Sequence, residues 1–191
     1  MRLTHELAVA TMDVEPIRTP RLELLSMPPP FIEALLEDRY EEAAQLLGIA
    51  LPHGPPDRQV KRFLVRRLEQ IRRDPAVQRW LARVIVLRTR DRPMIGNVGF
   101  HGEPGVNAKN REDALEIGYG ILPEYRGRGY ATEAVRALIE WARGEGFHHF
   151  IASVAPDNSP SLAIVQKLGF VRTGERWDEE DGIEDVFELG D

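Results

Sequence analysis

Hydrophobic positions along this chain alternate between two periods, one typical of strands and one typical of helices. Runs rich in β-forming residues predict strands at 21–25, 80–90, 94–101, 115–122, 147–155, 171–177 and 183–189. Apolar residues at helical spacing predict helices over 31–47 with a break near Asp38, over 57–74, from Ala131 through Ala142, and over 159–168. The order has no internal repeat and no interdomain linker. It predicts one α/β (α+β) domain over residues 1–191, in which residues 1–18 are an extended lead-in or an extra edge strand.

The predicted helix 57–74 carries a strong positive charge. Val60, Leu64, Leu68 and Ile71 recur at helical spacing and predict its buried stripe. Its cations are Arg58, Lys61, Arg62, Arg66, Arg67, Arg72 and Arg73. A solvated face of an amphipathic helix explains them; contact with an anionic partner, such as ribosomal RNA or an acidic protein surface, is the alternative.

The C-terminal end carries the opposite charge. Seven carboxylates cluster around Gly182, in two predicted hairpin strands and in the turn between them: Glu175, Asp178, Glu179, Glu180, Asp181, Glu184 and Asp185. A solvated hairpin explains them, and attraction of a cationic acceptor amine is the alternative.

Composition excludes several classes of protein. The chain has 191 residues, of which 42% are hydrophobic and 29% charged, as is usual for a globular domain. A net charge of −6 argues against a general nucleic-acid binder. Without cysteine there is no disulfide and no thiolate chemistry. The N-terminus carries Glu6, Asp13 and Glu15 around a short apolar patch, Leu7–Ala10, so we expect no signal peptide, no membrane segment and a cytoplasmic protein.

The most informative stretch runs from Glu116 to Ala134. A strand interrupted by Gly118 and Gly120 leads through Arg126-Gly127-Arg128-Gly129 into a helix. Such a turn directs unpaired backbone N–H groups and the positive end of the helix dipole at one point, which suits a diphosphate. The P-loop pattern is absent, and the dinucleotide pattern G-x-G-x-x-G fails at Thr132.

A second segment follows the next predicted strand. In Pro156-Asp157-Asn158-Ser159-Pro160-Ser161, Ser159 is the predicted N-cap and Pro160 the first helical residue. The short helix is predicted to bury Leu162, Val165 and Leu168 and to end at Gly169.

Together these segments resemble a known family. Arg126-x-x-Gly129-x-Ala131, then Asn158-x-x-Ser161 and Lys167-Leu168-Gly169-Phe170, resemble the two signature segments of the GNAT superfamily of N-acetyltransferases. The resemblance implies one mixed sheet of about seven strands, flanked by helices, whose two central parallel strands splay apart. It also implies acetyl-CoA as co-substrate and no metal. The pattern is closest to the branch that acetylates the N-termini of ribosomal proteins.

The resemblance also implies which residues bind acetyl-CoA. The backbone at Ile121 and Leu122 would pair with the pantetheine amides, and the amides from Arg126 to Ala131 would hold the pyrophosphate. The full set of implied cofactor-binding residues is Ile121, Leu122, Arg126, Gly127, Arg128, Gly129, Tyr130, Ala131, Thr132, Asn158 and Ser161.

Transfer to an amine needs a base and a group that stabilises the leaving thiolate. Glu116, which shares a strand face with Gly118 and Gly120, is the candidate base; an exposed strand carboxylate without a catalytic role is the alternative, and His101 is the alternative base. Many relatives carry a tyrosine where this chain has Val165. Ser161 is therefore the candidate hydrogen-bond donor to the sulfur.

The predicted function is acetyl transfer from acetyl-CoA directly to a primary amine, on a protein N-terminus or a small molecule, through a ternary complex. A CoA-binding module that acts through a partner surface without transfer is the alternative. An RNA-binding domain is opposed by the total charge and by the lack of interleaved aromatic residues. The acceptor and the oligomeric state, monomer or homodimer, stay open.

Overall fold

The computed structural model describes residues 14–179 and 182–190. Its strands are β1 (Ile17–Arg18), β2 (Leu22–Ser26), β3 (Arg83–Leu87), β4 (Met94–Phe100), β5 (Ala114–Ile121), β6 (His149–Val154), β7 (Val171–Asp178) and β8 (Gly182–Leu189). Its α-helices are α1 (Pro29–Leu36), α2 (Tyr40–Leu47), α3 (Arg58–Arg73), α4 (Tyr130–Gly144) and α5 (Ser159–Lys167).

The strands form one mixed sheet in the order β1-β2-β3-β4-β5-β6-β8-β7. Neighbouring strands are antiparallel except β5 and β6, which run parallel at the centre. The sheet thus has eight strands rather than about seven, because the pair Ile17–Arg18 adds an edge strand to β2. The rest of the predicted lead-in, residues 1–13, lies outside the described residues. The prediction of no signal peptide concerns the same residues and stays a prediction.

Each face of the sheet is covered by its own group of helices. On one face, α4 and α5 pack against Leu115, Ile117 and Phe150 in the larger core cluster. On the other face, α1, α2 and α3 pack over Val84 and Val86. Among the described residues, every helix is too short or too polar to span a lipid bilayer.

The central strands separate part-way along their length. The register pairs Ala114 with His149 and Glu116 with Ile151, and the pairing between β5 and β6 ends there. From Ile117 to Ile121, β5 stays paired with β4 alone. The result is a V-shaped opening between two parallel strands, at the end of the sheet where the turn into α4 begins.

The predicted helix break near Asp38 is confirmed, since Asp38 adopts a φ of 60° between α1 and α2. Three local predictions are wrong. The strand predicted over 80–90 is only Arg83–Leu87, since a 3₁₀ turn, Pro75–Arg79, precedes it. Val60 is 43% exposed, and the buried face of α3 includes Arg67 instead. The N-cap of α5 is Asn158 rather than Ser159, because the Asn158 side chain accepts the Ser161 N–H at 3.2 Å.

Candidate active site

The turn before α4 presents a row of open backbone donors. Gly127 and Gly129 have φ of 74° and 77°, a region that other residues adopt only with strain. The first intrahelical bond runs from the Glu133 N–H to the Gly129 carbonyl at 3.1 Å. Within residues 14–179 and 182–190, the N–H groups from Gly127 to Thr132 donate to no protein acceptor. Six consecutive donors at the positive end of a helix dipole are an arrangement that favours binding of an anion.

Ion pairs from the start of the sheet hold this turn in place. The Arg21 Nε donates to Glu133 Oε2 at 2.6 Å, and its Nη1 donates to the Arg128 carbonyl at 3.1 Å. The Thr19 hydroxyl donates to Glu133 Oε1 at 2.6 Å. Burial alone would raise the pKa of Glu133, but these hydrogen bonds hold it below the ordinary value. Glu133 therefore stays ionised and fixes the first turn of α4.

A groove of about 650 Å³ runs from this turn into the opening between β5 and β6. Its lining contains nine of the predicted cofactor-binding residues: Ile121, Arg126, Gly127, Gly129, Tyr130, Ala131, Thr132, Asn158 and Ser161. Two predicted residues lie outside it. The Leu122 N–H donates to the Ile95 carbonyl, its carbonyl accepts the Tyr125 N–H, and the Arg128 guanidinium donates to the Glu124 carbonyl. Leu122 and the Arg128 side chain thus support the turn, while the Arg128 N–H is one of its open donors.

The alternating direction of main-chain groups along β5 explains why those of Leu122 are directed away from the opening. Glu116 and Leu122 turn their main-chain groups toward β4, since the His101 N–H donates to the Glu116 carbonyl and Leu122 donates to Ile95. Alternate residues of a strand direct these groups to opposite sides. Tyr119 and Ile121 therefore direct their main-chain groups into the opening. The Ile121 carbonyl already accepts the Arg126 Nε at 2.9 Å, and an amide-bearing chain could pair with the other groups.

Glu116 lies at the apex of the opening and is 1% exposed. Its Oε1 accepts the Ser153 hydroxyl at 2.6 Å, and its Oε2 accepts the Ala108 N–H at 2.6 Å. The Arg176 Nη2 is 3.9 Å from Oε1. A buried carboxylate held by two donors and a nearby cation is fixed in position and is shielded from bulk solvent.

His101 is the neighbour of Glu116 that solvent reaches. Its Nδ1 is 3.6 Å from Glu116 Oε1, and 40% of its side chain is exposed. The other ring nitrogen lies over Gly118, where an added Cβ would be 3.0 Å from Nε2. The register of β4 and β5 is regular across Gly118, so this glycine serves a close approach rather than a bulge. Partial burial lowers the pKa of His101, the charges of Arg67 and Arg176 act in the same direction, and Glu116 opposes them.

The acidic hairpin is largely neutralised by its own arginines. Arg176 donates to Glu184 at 2.8 Å and to Asp178 at 3.2 Å, while Arg172 pairs with Asp185 and Glu175. Glu180 and Asp181 lie outside the described residues. These ion pairs weaken the hypothesis that the hairpin attracts a cationic amine.

Most of the cations of α3 also have partners among the described residues. Lys61 pairs with Asp38 and Arg72 with Glu33, and both Arg62 and Arg66 interact with other groups. The structure therefore supports the solvated amphipathic face for this helix.

Sequence reasoning missed Tyr119, whose phenol donates to the Ser161 carbonyl at 3.3 Å inside the groove. The signal was available, because Tyr119 shares a strand face with Ile121. It also missed Ser153, Ala108 and Arg176 around Glu116, which come from β6, a loop and β7. No local pattern links those three residues.

The comparisons with known proteins fit this geometry. Residues 29–171 match the acetyltransferase (GNAT) domain. The chain belongs to the GNAT acetyltransferase family. This GNAT chain is 35% identical over 91 residues to the uncharacterised N-acetyltransferase YnaD of Bacillus subtilis, covering 47% of this chain and 49% of that protein. It is 32% identical over 88 residues to YjdG of the same organism, covering 46% and 49%. The chain thus spans about half the length of the curated relatives it matches.

Solved structures show the same GNAT fold over nearly the whole chain. A putative ribosomal-protein-serine acetyltransferase from Vibrio cholerae superposes with a TM-score of 0.65 at 19% identity, covering 95% of this chain and 99% of that one. The microcin C7 self-immunity acetyltransferase MccE, solved with acetyl-CoA and AMP, gives a TM-score of 0.59 at 17% identity, covering 91% and 94%. At these identities the likeness shows the fold alone.

Proposed function

We propose that this chain transfers an acetyl group from acetyl-CoA directly to a primary amine, on a protein N-terminus or a small molecule. One observation carries the proposal. The parallel strands β5 and β6 separate after the pair Glu116–Ile151, directly beside six open N–H groups at the start of α4. A long ligand with a diphosphate at one end and amides along its length suits such a site.

The residues present fit acetyl-CoA. The open donors from Gly127 to Thr132 suit its pyrophosphate, and the main chain of Tyr119 and Ile121 faces the space its pantetheine arm would take. Acetyl-CoA supplies an already activated thioester, so the protein needs no covalent nucleophile. What remains for the protein is to orient the amine and to move protons.

We assign proton removal from the acceptor amine to Glu116 and His101 acting together. Only a neutral amine has the lone pair needed for attack, so its ammonium proton must first be taken up. Glu116 is buried and already accepts two hydrogen bonds, whereas the imidazole edge is exposed. His101 accepts the proton at Nε2, and Glu116 stabilises the resulting imidazolium at Nδ1. Its lowered pKa keeps His101 neutral, and so ready to accept, at neutral pH.

The leaving sulfur needs a hydrogen-bond donor as its bond to carbon breaks. The Ser161 side chain lines the groove at the start of α5, and the Tyr119 phenol lies beside it. Val165 is buried in the core and offers no donor. We assign the donor role to the Ser161 hydroxyl, with the Tyr119 phenol as the alternative.

The alternative function is a module that binds CoA without catalysing transfer. The near-complete pairing around Glu116 is the observation in its favour, because a fully paired carboxylate is also what a structural role requires. The two functions share the cofactor groove and differ only on the acceptor side.

The melting temperature with and without acetyl-CoA, with NAD as the control ligand, tests the cofactor part of the proposal. Ligand at 100 times its dissociation constant stabilises by about 2.7 kcal/mol. For a domain of this size we expect a rise of about 5–10 °C with acetyl-CoA and none with NAD. Thiol release from acetyl-CoA with a panel of amines then tests transfer, and its absence for every amine would favour the binding module.

A matched pair of glycine variants locates the binding site. Gly129→Val places a side chain on the turn at positive φ, 3.6 Å from the Arg21 guanidinium for its Cβ alone. Gly146→Val imposes similar strain at a φ of 92° with no neighbour within 4 Å. We expect Gly129→Val to lose the acetyl-CoA shift and Gly146→Val to keep it. An equal shift in both variants would refute the assignment of the pyrophosphate to this turn.

A further inference from the structure

A second groove, of about 480 Å³, adjoins the cofactor groove at Gly129 and Thr132, which line both. Its walls are the segment Arg18–Arg21, the exposed side of α4 and the end of α5 at Lys167. Nothing in the proposed transfer reaction uses this second groove.

The second groove is positively charged on a chain whose net charge is −6. Arg18, Arg21, Arg136 and Lys167 line it, against Glu133 and Glu140. Two of the cations already have carboxylate partners, since Arg18 pairs with Glu23 and Arg21 with Glu133. Arg136 and Lys167 form no ion pair or hydrogen bond in the part of the chain that the structure describes. Two cations without partners therefore face one remaining carboxylate, Glu140.

Both helices that carry these cations run from the cofactor groove into the second groove. Arg136 follows Thr132 by four residues, about 6 Å along the axis of α4. Lys167 follows Ile164, which lines the cofactor groove, by three residues on the same side of α5. A ligand whose diphosphate lies on the open N–H groups thus has two cations within a short reach.

We propose that the second groove binds the 3′-phosphate of coenzyme A, with Arg136 and Lys167 as its partners. This inference rests on the proposed function. The chemistry of the ligand supports it, because the 3′-phosphate is carried by the same ribose whose 5′ oxygen bears the diphosphate. A phosphate monoester is a near-dianion at neutral pH, and two cations that lack protein partners can pair with it without breaking an existing bond.

Calorimetric titration with CoA and with 3′-dephospho-CoA tests the proposal. The wild type is expected to bind CoA about tenfold more tightly, as befits charge-assisted contacts at a partly exposed site. In the double variant Arg136→Ala/Lys167→Ala the two ligands should bind within about twofold of each other, while affinity for dephospho-CoA stays near that of the wild type. Arg90→Ala, which removes an exposed arginine in the turn before β4, is the control and should keep the tenfold preference.

The outcomes separate this inference from the proposed function. Equal affinity of the wild type for CoA and dephospho-CoA would overturn the 3′-phosphate site and leave the cofactor groove intact. A preference for CoA that survives in the double variant would also overturn it, because other residues would then hold the phosphate. If the wild type binds neither ligand, the proposed function fails, and this inference with it.

Discussion

The two sides of the opening between β5 and β6 are built in opposite ways. On the cofactor side, the turn from Gly127 to Thr132 consists of consecutive residues whose N–H groups are unpaired. On the acceptor side, Glu116 meets residues from four other segments and already has its hydrogen bonds. The first side is complete only when a ligand supplies acceptors, whereas the second side is complete without one. Unpaired N–H groups suit the binding of a ligand, whereas the paired cluster holds the Glu116 side chain in one position.

Among the substitutions that test this comparison, replacement of Glu116 should lower kcat the most. Glu116→Gln keeps the shape of the side chain but removes the charge that stabilises the protonated imidazole. We expect kcat to fall by about 10²–10³-fold, as for loss of general-base function, while the acetyl-CoA melting shift persists. Initial rates and ligand-dependent melting, measured on the same preparation, check both parts.

The control for this variant is Glu112→Gln, an exposed carboxylate in the loop before β5. It should leave kcat within about twofold of the wild-type value, as is usual for a surface substitution. If Glu116→Gln matched it, the cluster would be structural, and the binding module would become the better description.

The contrast between the two sides also explains what the sequence could predict. The turn before α4 could be predicted from Arg126 to Ala131 because its backbone conformation is local and the spacing of its glycines reveals it. Its support by Arg21 could not, since Arg21 and Glu133 are 112 residues apart. The same holds for Ser153 and Arg176, which only the strand order β5-β6-β8-β7 brings to Glu116.

The fold could be predicted from the sequence more completely than the acceptor side, for a related reason. Hydrophobic period predicted most of the strands and helices, because each element buries one stripe or one face. It failed at Val60, where one turn of α3 extends past the core, and at Arg67, which is buried yet charged. It also failed at residues 80–82, which are apolar like the strand that follows them but lie between the 3₁₀ turn Pro75–Arg79 and β3. Hydrophobic periodicity indicates which apolar residues of a helix or strand are buried. It does not indicate that a charged residue such as Arg67 is buried with them.

The pH dependence of kcat sharpens the assignment of the base. Burial and the cations Arg67 and Arg176 lower the pKa of His101, whereas Glu116 and Asp178 raise it. The neutral imidazole is the active form, so activity is lost as pH falls through this pKa. We expect that fall to lie below pH 6.5, the ordinary value for histidine.

Removal of one cation should move the fall in a known direction. In Arg176→Gln the imidazolium is repelled less, so the pKa of His101 should rise, and the pH at which kcat falls should rise with it. Histidine resonances followed by NMR and the kcat profile measure the two independently. Arg172→Gln, on the same strand, should move neither. A shifted resonance with an unmoved profile would show that His101 is not the base.

The smallest expected effect on kcat comes from removing the proposed hydrogen-bond donor to the leaving sulfur of acetyl-CoA. Ser161→Ala removes the hydroxyl assigned to the leaving thiolate but leaves the main-chain N–H that Asn158 accepts, so α5 keeps its N-cap. Because a thiolate is a good leaving group, loss of one hydrogen bond should lower kcat by only about tenfold, with the KM for acetyl-CoA nearly unchanged. Tyr119→Phe is the matched variant, since it removes the neighbouring phenol hydroxyl and no other atom. A larger loss in Tyr119→Phe than in Ser161→Ala would move the donor role to β5, and no loss in either would assign it to water.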